Sequence, residues 1–218
     1  MIIKVDSTTS VVFDLDDTLY KEIGYLQSAY MSIAKHIEPD KWEFLFANMF
    51  ALYREGKDVF GTLEENYNIE KQALVKQYRE HQPAIKLENG AYDLMNKIKN
   101  KNGKLGILTD GRTNTQINKI RSLGIIDFFD IIGISESLGT EKPNKNNYEF
   151  IEQKLKTDSY YYIGDNFKKD FITPNTMGWT TIGLMDNGQN IHNTAHLKLK
   201  KQHSPQILVR CLSDIYVC

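Results

Sequence analysis

Three carboxylates stand close together near the start of the chain, directly after a short apolar run. The run ends at Phe13, and Asp14, Asp16 and Asp17 follow it, with Thr18 next. A short apolar run of this kind is typical of a buried strand. Carboxylates crowded at its end repel one another, and a bound cation is the simplest way to stabilise them. If the backbone stays extended, Asp14 and Asp16 share a face and Asp17 points away, so the stretch predicts a Mg²⁺-assisted site centred on Asp14 and Asp16.

Other polar residues stand where later apolar runs end. Thr109, Asp110 and Gly111 end one run, Lys142 lies in the loop after the next, and Asp165 follows a third. In an open parallel α/β sheet, ligands bind outside the carboxyl ends of the strands. Four separate loops therefore bring a candidate nucleophile, a hydroxyl, a cation and a further carboxylate to one edge of the predicted sheet.

The chemistry that this set favours is phosphoryl transfer through an aspartyl-phosphate. A carboxylate attacks phosphorus and forms a covalent intermediate, which divides a difficult hydrolysis into two easier steps. Asp14 is the candidate nucleophile, and Asp16 would protonate the leaving oxygen and then activate water. Mg²⁺ would bridge the nucleophile and the phosphate oxygens, because two anions do not approach each other readily.

The remaining loop residues suit the phosphate and the metal. Thr109 and the N–H groups of Asp110 and Gly111 would bind phosphate oxygens beside the start of a helix near residue 113. Lys142 would neutralise charge on the phosphate and on the aspartyl group. Asp165 would complete the metal shell with oxygen ligands, which a hard cation prefers.

Each of these residues has an ordinary structural alternative when it is taken alone. Thr109 could be a loop or helix-capping hydroxyl, and Lys142 could be a solvated surface lysine. Asp170 could stabilise a helix N-terminus instead of serving the site. Asp17 is expected to hydrogen-bond the loop backbone. The set is much harder to explain in these ways than any single residue.

Several helical patterns follow the first strand, between about residues 21 and 85. Apolar residues recur at helical spacing over 25–37, 42–53, 60–67 and 74–81, with Pro39, Gly56 and Pro83 as stops. Several helices in succession after one strand predict a helical insert with its own aromatic core, rather than a simple crossover.

From about residue 88 helices and strands alternate. Helix faces are predicted at 91–98, 117–123 and 148–155, a further helix near Lys169, and strands at 104–108, 131–134, 160–163 and 180–184. This alternation with near-continuous apolar strands is typical of a parallel sheet covered on both faces. A closing amphipathic helix is predicted from Ile207, Leu208, Cys211, Leu212 and Ile215.

The segment 186–203 is polar and is expected to run over the surface. His192 and His196 have the i, i+4 spacing of a zinc pair. No Glu adjoins His192 and no third ligand is evident, so a solvated loop is favoured over a zinc site.

Composition limits the classes of protein. The 218 residues allow one large domain or a core domain with an insert, and 41% hydrophobic and 25% charged residues are ordinary for a soluble globular protein. A net charge of −1 gives no reason to expect a nucleic-acid or membrane partner. The first ten residues lack the apolar stretch of a signal peptide, and only two cysteines, Cys211 and Cys218, favour a reduced, cytoplasmic location.

The ordered motifs resemble those of the haloacid dehalogenase superfamily of phosphotransferases. Its four motifs are matched in order by Asp14-Leu-Asp16-Asp-Thr18, Thr109, Lys142, and Gly164-Asp165 with Asp170. The resemblance implies a Rossmann-like core at residues 1–20 and 86–218 and a helical cap at 21–85, like the C1 cap of subfamily I. It also implies Mg²⁺ bound by the Asp14 side chain, the Asp16 backbone carbonyl and Asp165, with Asp170 as a further candidate. Such a cap would close over the site and choose the substrate.

The sequence thus predicts a Mg²⁺-dependent phosphatase for a small phosphorylated metabolite, such as a sugar phosphate or a nucleoside monophosphate. A phosphomutase of the same family is an alternative, because a sugar hydroxyl could trap the aspartyl-phosphate. A dehalogenase fits less well, since the resemblance implies that this branch lacks the acid/base residue that Asp16 supplies here. A binding protein without turnover would have no need of the intact motif set. Oligomeric state stays open.

Overall fold

The computed structural model describes residues 1–192 and 200–218. Its helices and strands, in chain order, are β1 (Ile2–Ile3), β2 (Thr9–Phe13), α1 (Glu22–Ile37), α2 (Trp42–Arg54), α3 (Val59–Tyr67), α4 (Lys71–Glu80), α5 (Ala91–Asn100), β3 (Lys104–Thr109), α6 (Thr113–Ser122), β4 (Ile131–Ile134), α7 (Ser135–Leu138), α8 (Lys145–Leu155), β5 (Ser159–Gly164), α9 (Ile172–Thr176), β6 (Thr180–Leu184), β7 (Ile207–Val209) and β8 (Tyr216–Val217).

A six-stranded parallel sheet in the order β4-β3-β2-β5-β6-β7 forms the centre of the molecule. All residues of β2 are buried, as expected for a strand that helices cover on both faces. Val11 and Phe13 pack into one apolar cluster, and Val12 between them packs into a second cluster on the other face. The predicted α/β class with a parallel sheet is confirmed.

The four predicted helices between the first strand and residue 88 are present as α1–α4. They share an apolar cluster separate from the two that cover the sheet, made of Leu26, Tyr30, Ile33, Ala34, Leu45, Met49, Val59, Leu63 and Leu74. Two aromatic residues of these helices also reach the sheet: Tyr25 packs in a sheet cluster instead, and the partly buried Tyr78 packs against both clusters.

The predicted closing helix is wrong. Ile207 and Val209 lie in the edge strand β7, a short 3₁₀ turn covers Leu212–Asp214, and β8 follows and pairs in parallel with β1. Ile207 and Val209 pack on the sheet cluster while Leu208 between them is 49% exposed, which is a period of two. A short apolar run is ambiguous between the two periods, and pairing with β6 decides for the strand.

The helix predicted to start near Lys169 begins instead at Ile172. Residues 166–170 first form turns, in which the N–H groups of Lys169 and Asp170 donate to the carbonyl of Asn166. The Asp170 carboxylate turns back and accepts the N–H of Asn166 at 2.9 Å. Asp170 therefore precedes the helix and does not serve its N-terminus.

Only part of the polar segment 186–203 belongs to the described residues. His192 is exposed, and His196, the second histidine of the i, i+4 pair, lies outside the described residues. Within 1–192 and 200–218, none of the helices combines the length and the apolar character that crossing a bilayer requires.

Candidate active site

The strand that carries the first carboxylates ends at Phe13, and the chain then turns. The N–H of Asp14 still donates to the carbonyl of Ile163 on β5, at 2.9 Å, but Asp17 has a φ of 55°. The extended conformation therefore ends at Asp17, which turns the chain away from the sheet. The two side chains accordingly have different partners.

Asp14 forms a buried ion pair with the predicted lysine. Lys142 Nζ lies 2.8 Å from Asp14 Oδ1, 2.7 Å from Asp170 Oδ1 and 3.1 Å from the hydroxyl of Tyr162. The Lys142 side chain is fully buried. Charges so far from water persist only when they are paired, so the surface-lysine alternative for Lys142 does not apply.

Both carboxylate partners of this lysine belong to a group of three. Asp14, Asp165 and Asp170 each offer an oxygen, and these three atoms lie within 4.8 Å of one another. Both oxygens of Asp170 accept hydrogen bonds, from Lys142 and from the N–H of Asn166. Among the described residues, Asp14 Oδ2 and Asp165 Oδ1 accept none. Hard carboxylate oxygens at this separation suit Mg²⁺, and Asp14 and Asp165 are the pair with an oxygen to offer.

Burial changes the protonation of this group. It raises the pKa of Asp14 to about 7, with the neighbouring Asp170 charge adding to the shift and Lys142 opposing it. Burial, together with the charges of Asp170 and Asp14, also raises the pKa of Asp165 well above its usual range. Without a cation the cluster therefore retains protons near neutral pH, which a bound cation would displace.

The carboxylate of Asp16 lies apart from the three-carboxylate group and contacts helix α6. Asp16 Oδ1 accepts from Lys119 Nζ at 2.6 Å and from the Tyr20 hydroxyl, and Oδ2 accepts from Gln116 Nε2 at 2.9 Å. Burial alone would raise the pKa of Asp16, but the Lys119 charge and these hydrogen bonds outweigh it and hold the pKa below its ordinary value. The Asp16 carboxylate thus contacts α6 and is not part of the three-carboxylate group, so the backbone carbonyl of Asp16 is the part of this residue predicted to bind a metal.

The residues predicted to bind phosphate differ in their surroundings. Thr109 ends β3 and its buried hydroxyl accepts from Gln116 Nε2 at 2.6 Å. The Asp110 carboxylate instead joins two loops, since it accepts the N–H of Lys142 at 3.0 Å and pairs with Lys169 Nζ at 2.6 Å. The N–H of Gly111 donates to the Ser135 hydroxyl at 2.9 Å.

Asp17 connects the first loop to its neighbours. Its Oδ1 accepts the N–H of Glu22 at 2.9 Å, and its Oδ2 accepts the N–H of Ile191 at 2.8 Å. The expectation that Asp17 hydrogen-bonds the loop backbone is confirmed. Next to Ile191, Asn190 Nδ2 donates to Asp165 Oδ2 at 2.9 Å, and Asn190 Oδ1 accepts from Lys21 at 2.7 Å.

Sequence reasoning missed Gln116, Lys119 and Asn190. Gln116 lies three residues before Lys119 and four before the buried Ile120, so it shares a helix face with both, and this face carries polar side chains although it is buried. Polar residues on a face of this kind are the signal that could have identified them. Asn190 gives no comparable signal, because it lies in a polar loop.

Comparison with known proteins identifies the same family that the sequence motifs resemble. The family model for haloacid dehalogenase-like hydrolases matches residues 11–184. A glyceraldehyde 3-phosphate phosphatase of Methanocaldococcus jannaschii is 26% identical over 199 residues, which covers 80% of this chain and 84% of that protein. The pyrimidine 5'-nucleotidase YjjG of Escherichia coli is 34% identical over 98 residues, covering 44% of this chain and 43% of that protein.

Solved structures share the fold. The HAD-hydrolase YfnB of Bacillus subtilis, bound to magnesium, superposes with a TM-score of 0.66 at 21% identity, covering 96% of this chain and 97% of that one. At that identity the likeness concerns the fold alone.

Proposed function

The chain belongs to the haloacid dehalogenase-like hydrolase family, and we propose that it is a Mg²⁺-dependent phosphatase that acts through an aspartyl-phosphate. The observation that carries the proposal is the buried Asp14 carboxylate, 2.8 Å from Lys142 Nζ and grouped with Asp165 and Asp170. A carboxylate surrounded by a fixed cation and by further hard oxygen ligands is suited to attack phosphorus and to stabilise the charge that develops there.

Asp14 attacks the phosphorus atom in the first step, and the bond from phosphorus to the leaving oxygen breaks. The leaving oxygen takes a proton from Asp16, which then removes a proton from water in the second step. Lys142 neutralises the phosphoryl group, and the buried Thr109 hydroxyl, with the N–H group of Asp110, binds its oxygens. The N–H of Gly111, which the sequence also predicts to bind phosphate, donates instead to the Ser135 hydroxyl at 2.9 Å.

Asp14 and Asp165 would hold Mg²⁺, together with the backbone carbonyl of Asp16. When bound, the ion supplies positive charge between the carboxylate and the phosphate, which otherwise repel. Asp170 has a supporting task, since both of its oxygens already accept hydrogen bonds and one of them binds Lys142 at 2.7 Å.

The substrate class is a small phosphorylated metabolite, a sugar phosphate or a nucleoside monophosphate. The names of a glyceraldehyde 3-phosphate phosphatase and a pyrimidine 5'-nucleotidase among the relatives support that range. Residues 21–85, which contain α1–α4 and their own apolar cluster, are the proposed cap over the site. Cys211 and Cys218 are both free, in keeping with the cytoplasmic setting that we propose.

The test is phosphate release from a panel of phosphorylated metabolites and from p-nitrophenyl phosphate. Activity is expected to require Mg²⁺ and to disappear in Asp14→Asn, which keeps the shape of the side chain but removes the nucleophile. Asp127→Asn, a change of the same type at an exposed position, is the matched control and should leave the rate unchanged. Activity that survives chelation, or survives in Asp14→Asn, would contradict the mechanism.

A further inference from the structure

Three hydrogen-bond donors that no step above uses hold the carboxylate of Asp16. Lys119 Nζ and the Tyr20 hydroxyl donate to Oδ1, and Gln116 Nε2 donates to Oδ2. Because all three groups donate, the arrangement stabilises the unprotonated carboxylate, which is the state of Asp16 once its proton has passed to the leaving oxygen. We infer that Lys119, Gln116 and Tyr20 are positioning residues that hold Asp16 as the base for hydrolysis of the aspartyl-phosphate, an inference that rests on the function proposed above.

The surroundings of Lys119 show that its ammonium group is directed inward. The residue is only 3% exposed, and its Nζ lies 2.6 Å from Asp16 Oδ1 and 4.0 Å from Glu22 Oε1. The same atom lies 4.7 Å from the ring centre of Tyr25 and 5.7 Å from that of Tyr20. Burying an ammonium group is costly unless anions and aromatic faces replace its water, so Lys119 is fixed by these partners and in turn fixes Asp16.

Gln116 forms hydrogen bonds to both the proposed base and a residue of the proposed phosphate site. Its Nε2 donates one hydrogen to Asp16 Oδ2 at 2.9 Å and the other to the Thr109 hydroxyl at 2.6 Å. One amide group therefore sets the separation between the base and a hydroxyl that would bind phosphate. Gln116 and Lys119 are three residues apart on α6, so one helix face carries both contacts.

The step that needs this arrangement is the second one. The oxygen of a water molecule bonds to phosphorus, the bond between phosphorus and the Asp14 oxygen breaks, and its electron pair returns to the Asp14 carboxylate. One water proton passes to Asp16, and inorganic phosphate leaves. A base that has lost its orientation slows this step, whereas p-nitrophenolate leaves in the first step as a stable anion and needs no proton from Asp16.

Rapid-mixing kinetics with p-nitrophenyl phosphate test the inference in the full Mg²⁺-loaded protein. In Lys119→Met the first turnover should keep its wild-type rate, while the steady-state rate should fall. The ratio of the first-turnover rate to the steady-state rate should therefore rise about tenfold or more, since a positioned base typically contributes at least that much to a rate. The phosphorylated protein should accumulate, which mass spectrometry detects as one added phosphoryl group. An equal decrease of both rates would show a structural role only and would overturn the inference.

A second variant keeps the test decisive if Lys119→Met does not fold, and a third variant serves as the control. Gln116→Met removes the donor on the other oxygen of Asp16 and should raise the same ratio. Lys99→Met removes a helix lysine whose ion pair with Asp130 is about one-third exposed, and it should leave the ratio unchanged. An unchanged ratio in folded Gln116→Met would overturn the inference.

Failure of the proposed function gives a different result. In that case wild-type protein would form no phosphorylated intermediate, or Asp14→Asn would turn over like wild type. If Asp14→Asn is inactive and wild-type protein is phosphorylated, an unchanged ratio in the α6 variants contradicts only the positioning role of Lys119 and Gln116.

Discussion

At the scale of single residues, the charge balance of the site depends on Lys142. It is the cation paired with both Asp14 and Asp170, and its side chain is fully buried. Lys142→Met would leave two carboxylates buried without that cation, so we expect the free energy of unfolding to fall by about 3–5 kcal/mol. Urea unfolding measures this difference.

The control for this change is Lys99→Met, which removes a lysine with a partly exposed partner, Asp130. Pairs of that kind contribute about 0–1 kcal/mol. An equal loss of stability in the two variants would contradict the assignment of Lys142 as a buried counter-ion.

The carboxylate group also predicts a pH dependence. Burial raises the pKa of Asp14 from 3.8 to about 7. Between about pH 4 and pH 7 the folded, metal-free protein keeps a proton that the unfolded chain has released, so stability falls as the pH rises through this window. Mg²⁺ competes with that proton, and it should therefore raise Tm more at about pH 8 than at about pH 5. A Tm increase from Mg²⁺ that does not vary with pH would be inconsistent with this account.

At the scale of elements, the loop after β6 supports Asp165, the proposed metal ligand that follows β5. Asn190 donates to Asp165 Oδ2 at 2.9 Å, which leaves Oδ1 for a cation. Groups that orient a metal ligand typically change affinity by about 10–100-fold, so Asn190→Leu should weaken Mg²⁺ binding about tenfold or more. The Mg²⁺ concentration that gives half-maximal activity, and the Mg²⁺-induced rise in Tm, both report this change.

Asn187→Leu is the matched control in the same loop. The Asn187 side chain is exposed and accepts only the N–H of Gln189 among the described residues, at 3.2 Å. If Asn190→Leu and Asn187→Leu bind Mg²⁺ equally well, Asn190 does not orient Asp165.

Elements differ in how far sequence alone predicts them. Strands β2 to β6 are continuous apolar runs between turns, and parallel strand ends converge, so Asp14, Lys142 and Asp165 could be assigned to one edge. The strand at Ile207 could not be recognised, because its apolar pattern also fits a helix and only long-range pairing with β6 decides. Lys119 was missed because a helix lysine normally faces solvent, and its burial here depends on aromatic rings from other elements.

At the scale of the whole molecule, α1–α4 and the sheet have separate apolar clusters. Met49 is fully buried among α1–α4, and Met49→Ala is expected to cost about 2–5 kcal/mol of local stability. If residues 21–85 form a separate cap, amide hydrogen exchange should become faster in α1–α4 and stay unchanged in β2–β6. Faster exchange throughout the chain would argue against the cap as a separate unit.

The central position of β2 also affects how the molecule is assembled. Thr9 on β2 pairs with Ser159 on β5, 150 residues further along the chain. During synthesis the strand that precedes Asp14 therefore leaves the ribosome long before the neighbour that completes its hydrogen bonds. Pairings between such distant segments form slowly. If the proposed activity is present, the return of phosphate release in refolding experiments would consequently report this slow pairing between distant strands, after most helices have formed.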